Sequence, residues 1–311
     1  MNRSRLTALL GCLACSAALA SPAQADSFFY PNFSSTAGLT LTGNATTVTT
    51  GDGTVLRIVP ASGSQAGAVY ATSPTTLGTG NTFSTQFSFR FTDPGGVDPA
   101  DGITFVLAAL PTGLGASGNG MGYQGVANSV AIEFDTYNNG NPASLGPVAT
   151  EPNSSNHVAI DLDGALSNAN AVNVYGISSC GFPGGTPSQS SNAVAGCMSN
   201  GDLWTATITY DGSLLNVLLS DPAEGSVFNA IINLPIDIAS YLGGNTAYVG
   251  FTGSTGAGWE NEDITSWQFA DTPTLPPTGV PEPTTWATMI LGLGLVGGMA
   301  RRRRHKLART A

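Results

Sequence analysis

Residues 83–91 read FSTQFSFRF, and Phe83, Phe87, Phe89 and Phe91 all fall on one parity. Side chains of an extended chain point alternately to opposite faces, so this spacing puts the aromatic rings on one side of a strand and polar residues on the other. Residues 204–210, WTATITY, repeat the pattern with Trp204, Ala206, Ile208 and Tyr210. A helical period would scatter both sets around an axis. Both stretches are therefore predicted to be half-buried strands whose aromatics pack in a core. Composition agrees: 40 of the 311 residues are glycine and only 10% are charged, a mix that suits many short strands joined by tight turns. With the two ends set aside, roughly 250 residues remain, which is ordinary for a single large all-β sandwich.

The ends read as signals. Arg3 and Arg5 precede an apolar stretch through Leu19, and Ala23-Gln24-Ala25 supplies the small residues that signal peptidase accepts. Residues 1–25 are thus expected to be a signal peptide for Sec-dependent export, with Cys12 and Cys15 leaving in it. Cys180 and Cys197 stay in the mature chain, and an even count in an oxidising compartment favours a disulfide between them. A zinc site is the alternative, but it lacks a CxxC pair or a neighbouring histidine. Near the other end, Val280-Pro281-Glu282-Pro283 is followed by an apolar segment, Trp286 to Ala300, and then by Arg301 to Arg304. About 17 apolar or small residues can just cross a bilayer, and the arginines stay on the cytoplasmic side. Residues 280–306 resemble the PEP-CTERM sorting signal of Gram-negative bacteria. That resemblance implies an exosortase as partner, transient membrane anchoring, and transfer to the cell surface or extracellular matrix. A plain C-terminal membrane anchor is the alternative. Residues 271–283, DTPTLPPTGVPEP, are expected to be a stiff proline-rich linker.

Charge narrows the partners. Of the 10 Lys and Arg residues, only Arg57 and Arg90 lie between the two signals, against most of the 20 Asp and Glu. Such a body repels nucleic acid and anionic polysaccharide unless divalent cations bridge them, and it approaches a membrane only through the sorting signal. Neutral glycans are compatible with it.

The chemistry-bearing stretch is VAIEFDTYNN at 130–139, followed by NHVAIDLDG at 156–164. Glu133 and Asp135 share a strand face and can share a cation. The Tyr137 carbonyl and Asn139 add oxygen ligands as the chain curls back, and the next strand opens with His157. An acidic strand end with a capped turn is the bland alternative. No Ser-His-Asp set, Walker loop or zinc motif is evident, the two histidines being His157 and His305.

These residues resemble the metal-binding core of the legume-type (L-type) lectins, whose fold is a concanavalin-like jelly-roll sandwich of two antiparallel sheets. FSTQFSFRF at 83–91, ADGITFVLAA at 100–109 and YVGFTGSTGAGWENEDITSWQF at 248–269 extend the likeness, so the lectin-like sandwich is expected to occupy residues 26–270. The resemblance implies calcium, with a second divalent transition metal such as Mn2+ as the two-ion alternative. Its ligands would be Glu133, Asp135, Tyr137, Asn139 and His157, with Glu151 in place of the family's second aspartate. It also implies a sugar site made by Asp101, Asn139, the Gly118–Tyr123 stretch including Gly120, and the loop carrying Gly256 and Trp259. A cis peptide after Ala100 belongs to the same pattern. No aromatic lies between Asn138 and His157, so stacking on a sugar falls to Tyr123, Tyr137 or Trp259. The expected function is calcium-dependent binding of neutral glycans or exopolysaccharide. Two other classes stay open. One is a non-catalytic matrix scaffold. The other is a glycoside hydrolase of the same fold, which would need a second carboxylate about 5.5 Å from the first, where this chain has Asn138 and Asn139.

Overall fold

In the computed structural model, residues 27–111, 113–140, 152–182, 194–222 and 225–276 are described. Glu151, the signal peptide and the apolar segment 286–300 lie outside them. Among the described residues no helix is long and apolar enough to cross a membrane.

The strands, numbered along the chain, form two eight-stranded sheets. The first contains β1 (Ser27–Tyr30), β3 (Thr46–Thr50), β4 (Gly53–Val59), β7 (Phe83–Gly96), β12 (Trp204–Tyr210), β13 (Leu214–Asp221), β14 (Ser226–Pro235) and β16 (Gly258–Ala270). Their order is β14-β13-β12-β7-β16-β4-β3, with β1 paired to β16. The second contains β2 (Leu39–Gly43), β5 (Ala66–Ala71), β6 (Thr75–Thr76), β8 (Gly102–Ala108), β9 (Ser129–Asp135), β10 (His157–Leu162), β11 (Ala165–Asn173) and β15 (Thr246–Ser254). It runs β11-β10-β9-β8-β15-β5-β2, with β6 paired to β15. Neighbours pair antiparallel, and about half are distant in sequence: β7 lies between β12 and β16, and β8 pairs with β15. This is the expected sandwich.

The two parity patterns end up in its core. Phe83, Phe87, Phe89 and Phe91 of β7 are fully buried, as are Trp204, Ala206 and Ile208 of β12. Phe87 meets Phe251 edge-on at a centroid distance of 4.8 Å, and Phe251 meets Trp267 at 4.9 Å. Such contacts across the interior hold the sheets together by apolar burial and edge-to-face ring packing. Core packing is thus the role of these aromatics.

Cys180 and Cys197 are joined in the structure, with Cα atoms 5.7 Å apart. Both are buried. They are expected to resist alkylation in the exported protein until a reductant is added, which mass spectrometry of iodoacetamide-treated chain measures. Labelling without reductant would contradict the bridge.

Candidate functional site

The alternation that fills the core also builds a second, polar surface. Ile103, Phe105 and Leu107 of β8, Val130, Ile132 and Phe134 of β9, and Val158 and Ile160 of β10 face the core. The opposite parity therefore carries Glu133 and Asp135 on β9 and His157 and Asp161 on β10. Register sets Asp135 opposite Gly102 on one side and His157 on the other. One ligand atom from each of Glu133, Asp135 and His157 lies within 4.8 Å of the other two, and all three residues are buried. His157 Nε2 donates to Asn168 Oδ1 at 2.9 Å and lies 3.2 Å from Glu133 Oε1. Its Nδ1 stands 3.9 Å from Asp135 Oδ1.

Two carboxylates and an imidazole buried together suit a divalent cation: the oxygens are hard ligands fit for calcium, and the imidazole suits a transition ion. Asp161 joins them, a neighbour that the motif reading missed. Burial first, and then the charge of Glu133, push its carboxyl well above the usual range. A bound cation would relieve that crowding of negative charge. The signal was available in HVAID, because Asp161 shares the parity of His157.

Beyond β9 the chain turns at once. Asp135 Oδ1 accepts a hydrogen bond from the Tyr137 amide at 2.7 Å, and Asn138 Oδ1 accepts one from Gly140 at 2.9 Å. Asn138 also donates to Asn153 Oδ1 at 2.7 Å. These side-chain bonds, two of them to backbone amides, shape the loop that presents half-buried Asn139.

Asp101 enters from a different loop, and its peptide bond with Ala100 is cis. Its amide donates to Ser254 O at 2.9 Å, and its carbonyl accepts from the Thr136 amide at 3.1 Å. The second bond ties the Asp101 loop directly to the segment leading from Asp135. Asp101 is only 2% exposed. Among the described residues its Oδ2 has no hydrogen-bond partner. A methyl group placed on Gly256 would stand 3.4 Å from that oxygen and 3.5 Å from Gly118 Cα. The Gly256 backbone thus stands close to the carboxylate with Gly118 packed against Gly256, and Ser254 Oγ holds the Gly118 loop by donating to Gly118 O at 2.7 Å.

Three other candidates make contacts of their own. The Gly120 amide is spent on Ser117 O at 3.3 Å. A methyl on Gly120 would come within 2.7 Å of Ala116, so Gly118 is the glycine of this loop that faces Gly256. The Trp259 indole lies over backbone: a methyl on Gly96 would stand 2.8 Å from its ring and one on Gly63 3.5 Å away. Tyr123 is fully buried, with its hydroxyl 2.8 Å from Ser129 Oγ. Of the three aromatics considered for stacking, half-buried Tyr137 is the one on the segment from Asp135 to Asn139, whose Thr136 amide donates to Asp101 O.

Beneath Asp101 lie two carboxylates from the other sheet. Glu262 Oε1 accepts from the Gly102 amide at 3.0 Å, and Glu260 Oε1 accepts from Thr136 Oγ1 at 2.6 Å. Both glutamates are fully buried. Burial pushes Asp101 up to about 7. Burial also raises Glu260 to about 8, against the lowering effect of Thr136, with the charge of Asp101 adding to the rise. Between the unfolded value near 4.5 and about 8, the unfolded chain loses the Glu260 proton while the folded chain keeps it. Folding stability must therefore fall as pH rises through that window and stay lower above it. Glu260→Gln mimics the neutral acid. In chelator it is expected to melt with the wild type near pH 4 and several degrees above it at pH 9, since each tenfold change in proton affinity is worth about 1.4 kcal/mol. Equal melting temperatures across the range would contradict this.

Comparison with known proteins agrees with this fold. The legume lectin domain matches residues 25–283, and the PEP-CTERM protein-sorting motif matches residues 279–304. The chain is 30% identical over 227 residues to the lectin alpha chain of Lablab purpureus, covering 68% of each chain. It is 32% identical over 210 residues to the probable L-type lectin-domain containing receptor kinase S.7 of Arabidopsis thaliana, covering 62% of this chain and 27% of the kinase. The chain thus spans about a quarter of that relative's length. In structure, basic winged bean lectin solved with Tn-antigen superposes at a TM-score of 0.60 with 24% identity, covering 82% of this chain and 100% of that one. With the domain match running from before β1 to beyond β16, the chain belongs to the legume lectin domain family, a lectin-like protein and not an enzyme, and it carries a PEP-CTERM protein-sorting motif.

Proposed function

We propose that this protein is an exported, calcium-dependent binder of neutral glycans at the cell surface or in the exopolysaccharide matrix of a Gram-negative bacterium. The observation that carries the reading is the bond between Thr136 N and Asp101 O, which joins a buried carboxylate close to the Gly256 backbone to the segment leading from Asp135. Asp101 and Asn139 then offer an acceptor and an amide to adjacent sugar hydroxyls. Glu133, Asp135, His157, Asn139 and the Tyr137 carbonyl would hold the metal, with Asp161 close behind. Bound calcium would supply fixed positive charge that orders the loop presenting Asn139. Release follows exosortase processing at the PEP-CTERM motif, which itself implies export and anchoring. Since Arg57 is paired with Asp263 at 2.7 Å and Arg90 with Asp52 at 2.8 Å, neither arginine is free to receive an acidic sugar.

A glycan array carrying neutral and acidic glycans, read with calcium and again with chelator, tests this. The expected result is calcium-dependent retention on neutral glycans. Retention on none, with or without calcium, would leave the matrix scaffold.

A further inference from the structure

The tail and the Asp101 loop lie at opposite ends of β16. The strand begins at Gly258, where a methyl group would stand 3.0 Å from Ala100 Cβ, and the Gly256 amide donates to Gly258 O at 3.0 Å. It ends at Ala270, and Asp271 opens the proline-rich segment that leads to the sorting motif at 279–304. Gln268 lies ten residues after Gly258. At about 3.3 Å per residue that is roughly 33 Å of strand.

The segment after β16 is fastened to the domain. Thr82 Oγ1 donates to Asp271 O, Thr272 Oγ1 to Thr274 O, and Gln268 Nε2 to Pro276 O, each at 2.8 Å. A methyl group on Gly78 would collide with the Asp271 carbonyl oxygen, so the turn from Gly78 to Thr82 packs closely on the same residue. The bond to Pro276 brings the chain back over β16. Trp267 and Phe269 face the core, so Gln268 between them points outward, yet it is only 7% exposed. Residues 271–276 thus act as a strap that covers Gln268 and sets where the tail departs.

Chain length then limits how an anchored molecule can stand. Trp286, which opens the apolar segment, comes ten residues after Pro276, and Pro276, Pro277, Pro281 and Pro283 stiffen the stretch before it. An extended proline-rich chain covers about 3.1 Å per residue, so this tether reaches about 31 Å. Even fully straight, it is no longer than the strand from Gln268 to Gly258. Pressing the Asp101 end against a bilayer would need the whole tether laid along the domain. Charge does not pull the domain down on its side either, because Arg57 and Arg90 are both paired with carboxylates and the body is acidic.

We infer that the chain still held by its uncleaved tail is already a glycan-binding form, tethered at the Ala270 end with its Asp101 end open to the surroundings. The inference rests on the proposed function above and deepens it: binding precedes exosortase processing, and release moves a working binder instead of switching one on.

The test uses the chain without its signal peptide and with its tail intact, reconstituted in phosphatidylcholine vesicles that carry an acceptor dye. A donor dye is placed on one introduced cysteine, Cys180 and Cys197 being joined to each other. Thr79→Cys is exposed in the turn against Asp271, and Val97→Cys is exposed at the other end, where the Val97 amide donates to Ala257 O. With roughly 33 Å of strand between the two ends, energy transfer to the bilayer is expected to be at least about twofold greater from position 79 than from position 97. Thr82→Val combined with Gln268→Ala unfastens the strap and lengthens the tether to the fifteen residues from Asp271 to Trp286, about 47 Å. The two transfers are then expected to converge. Fluorescent galactose-, mannose- and glucose-terminated glycans, added with calcium, are expected to bind the vesicle-held chain with the same Kd as the same chain in a non-glycosidic detergent. Equal transfer from the two positions in the otherwise unchanged chain, or a difference that survives the double substitution, would overturn the inference while leaving the lectin reading intact. So would binding in detergent alone. Binding in neither setting would overturn the proposed function, and the inference with it.

Discussion

Asp135→Ala is expected to abolish both calcium stabilisation and glycan binding. Calcium binds the folded loop and not the unfolded chain, so it stabilises by RT ln(1 + [L]/Kd), about 2.7 kcal/mol at a hundredfold excess over Kd. Asp135 is central to that loop. It stands in register between Gly102 and His157, and its Oδ1 accepts the Tyr137 amide at 2.7 Å. Its removal takes a carboxylate from the ion and the turn acceptor from the segment carrying Asn139. Because the alanine also loses a turn, Asp135→Asn is the companion: it keeps an acceptor for Tyr137 but not the charge. Thermal melts with calcium and with chelator should show several degrees of gain for the wild type and none for either variant. An undiminished gain in the variants would mean that the cation sits elsewhere.

The second large effect separates sugar from metal. Asp101→Asn is expected to abolish glycan retention while leaving the calcium gain intact. Burial already favours a neutral group here, holding the carboxyl at about 7, so an amide of the same shape is tolerated by the fold. Toward a sugar the change is costly, because a donor then faces hydroxyl donors where an acceptor stood. A buried mismatch of that kind costs about 1–3 kcal/mol, which suffices to lose a weak monovalent ligand. Affinity chromatography on the best array glycan, run beside the calcium melts, reads both properties. If Asp101→Asn instead lowered stability as much as Asp135→Ala, Asp101 would be a structural turn residue and the matrix scaffold would be favoured.

What was legible in the sequence was what depends on local alternation. The parity of Phe83 to Phe91 and of Trp204 to Tyr210 gave their buried faces correctly, and the spacing of Glu133 and Asp135 put them on one face of β9. His157 was reachable because its strand follows β9 and pairs with it directly. What depends on distant pairing was not legible from the spacing. Glu262 lies 160 residues from the amide it accepts, and Glu260 lies 124 from Thr136, so their place beneath Asp101 follows only once the sheets are stacked. Trp259 shows the same limit: its pairing in β16 with Gly95 and the packing of its ring over glycine backbone follow only from the fold. Gly118 and Gly120 look alike in GNGMGY, and only the hydrogen bonds of the folded loop tell them apart. Glu151 lies outside the described residues.

The central claim is that one site binds calcium and sugar together. It is tested most directly by the shift in melting temperature caused by the array's best neutral glycan, measured once with calcium and once with chelator. A glycan-induced rise with calcium that vanishes in chelator is the predicted result, because the sugar then needs the loop that the ion orders. A rise of equal size in both conditions would contradict it.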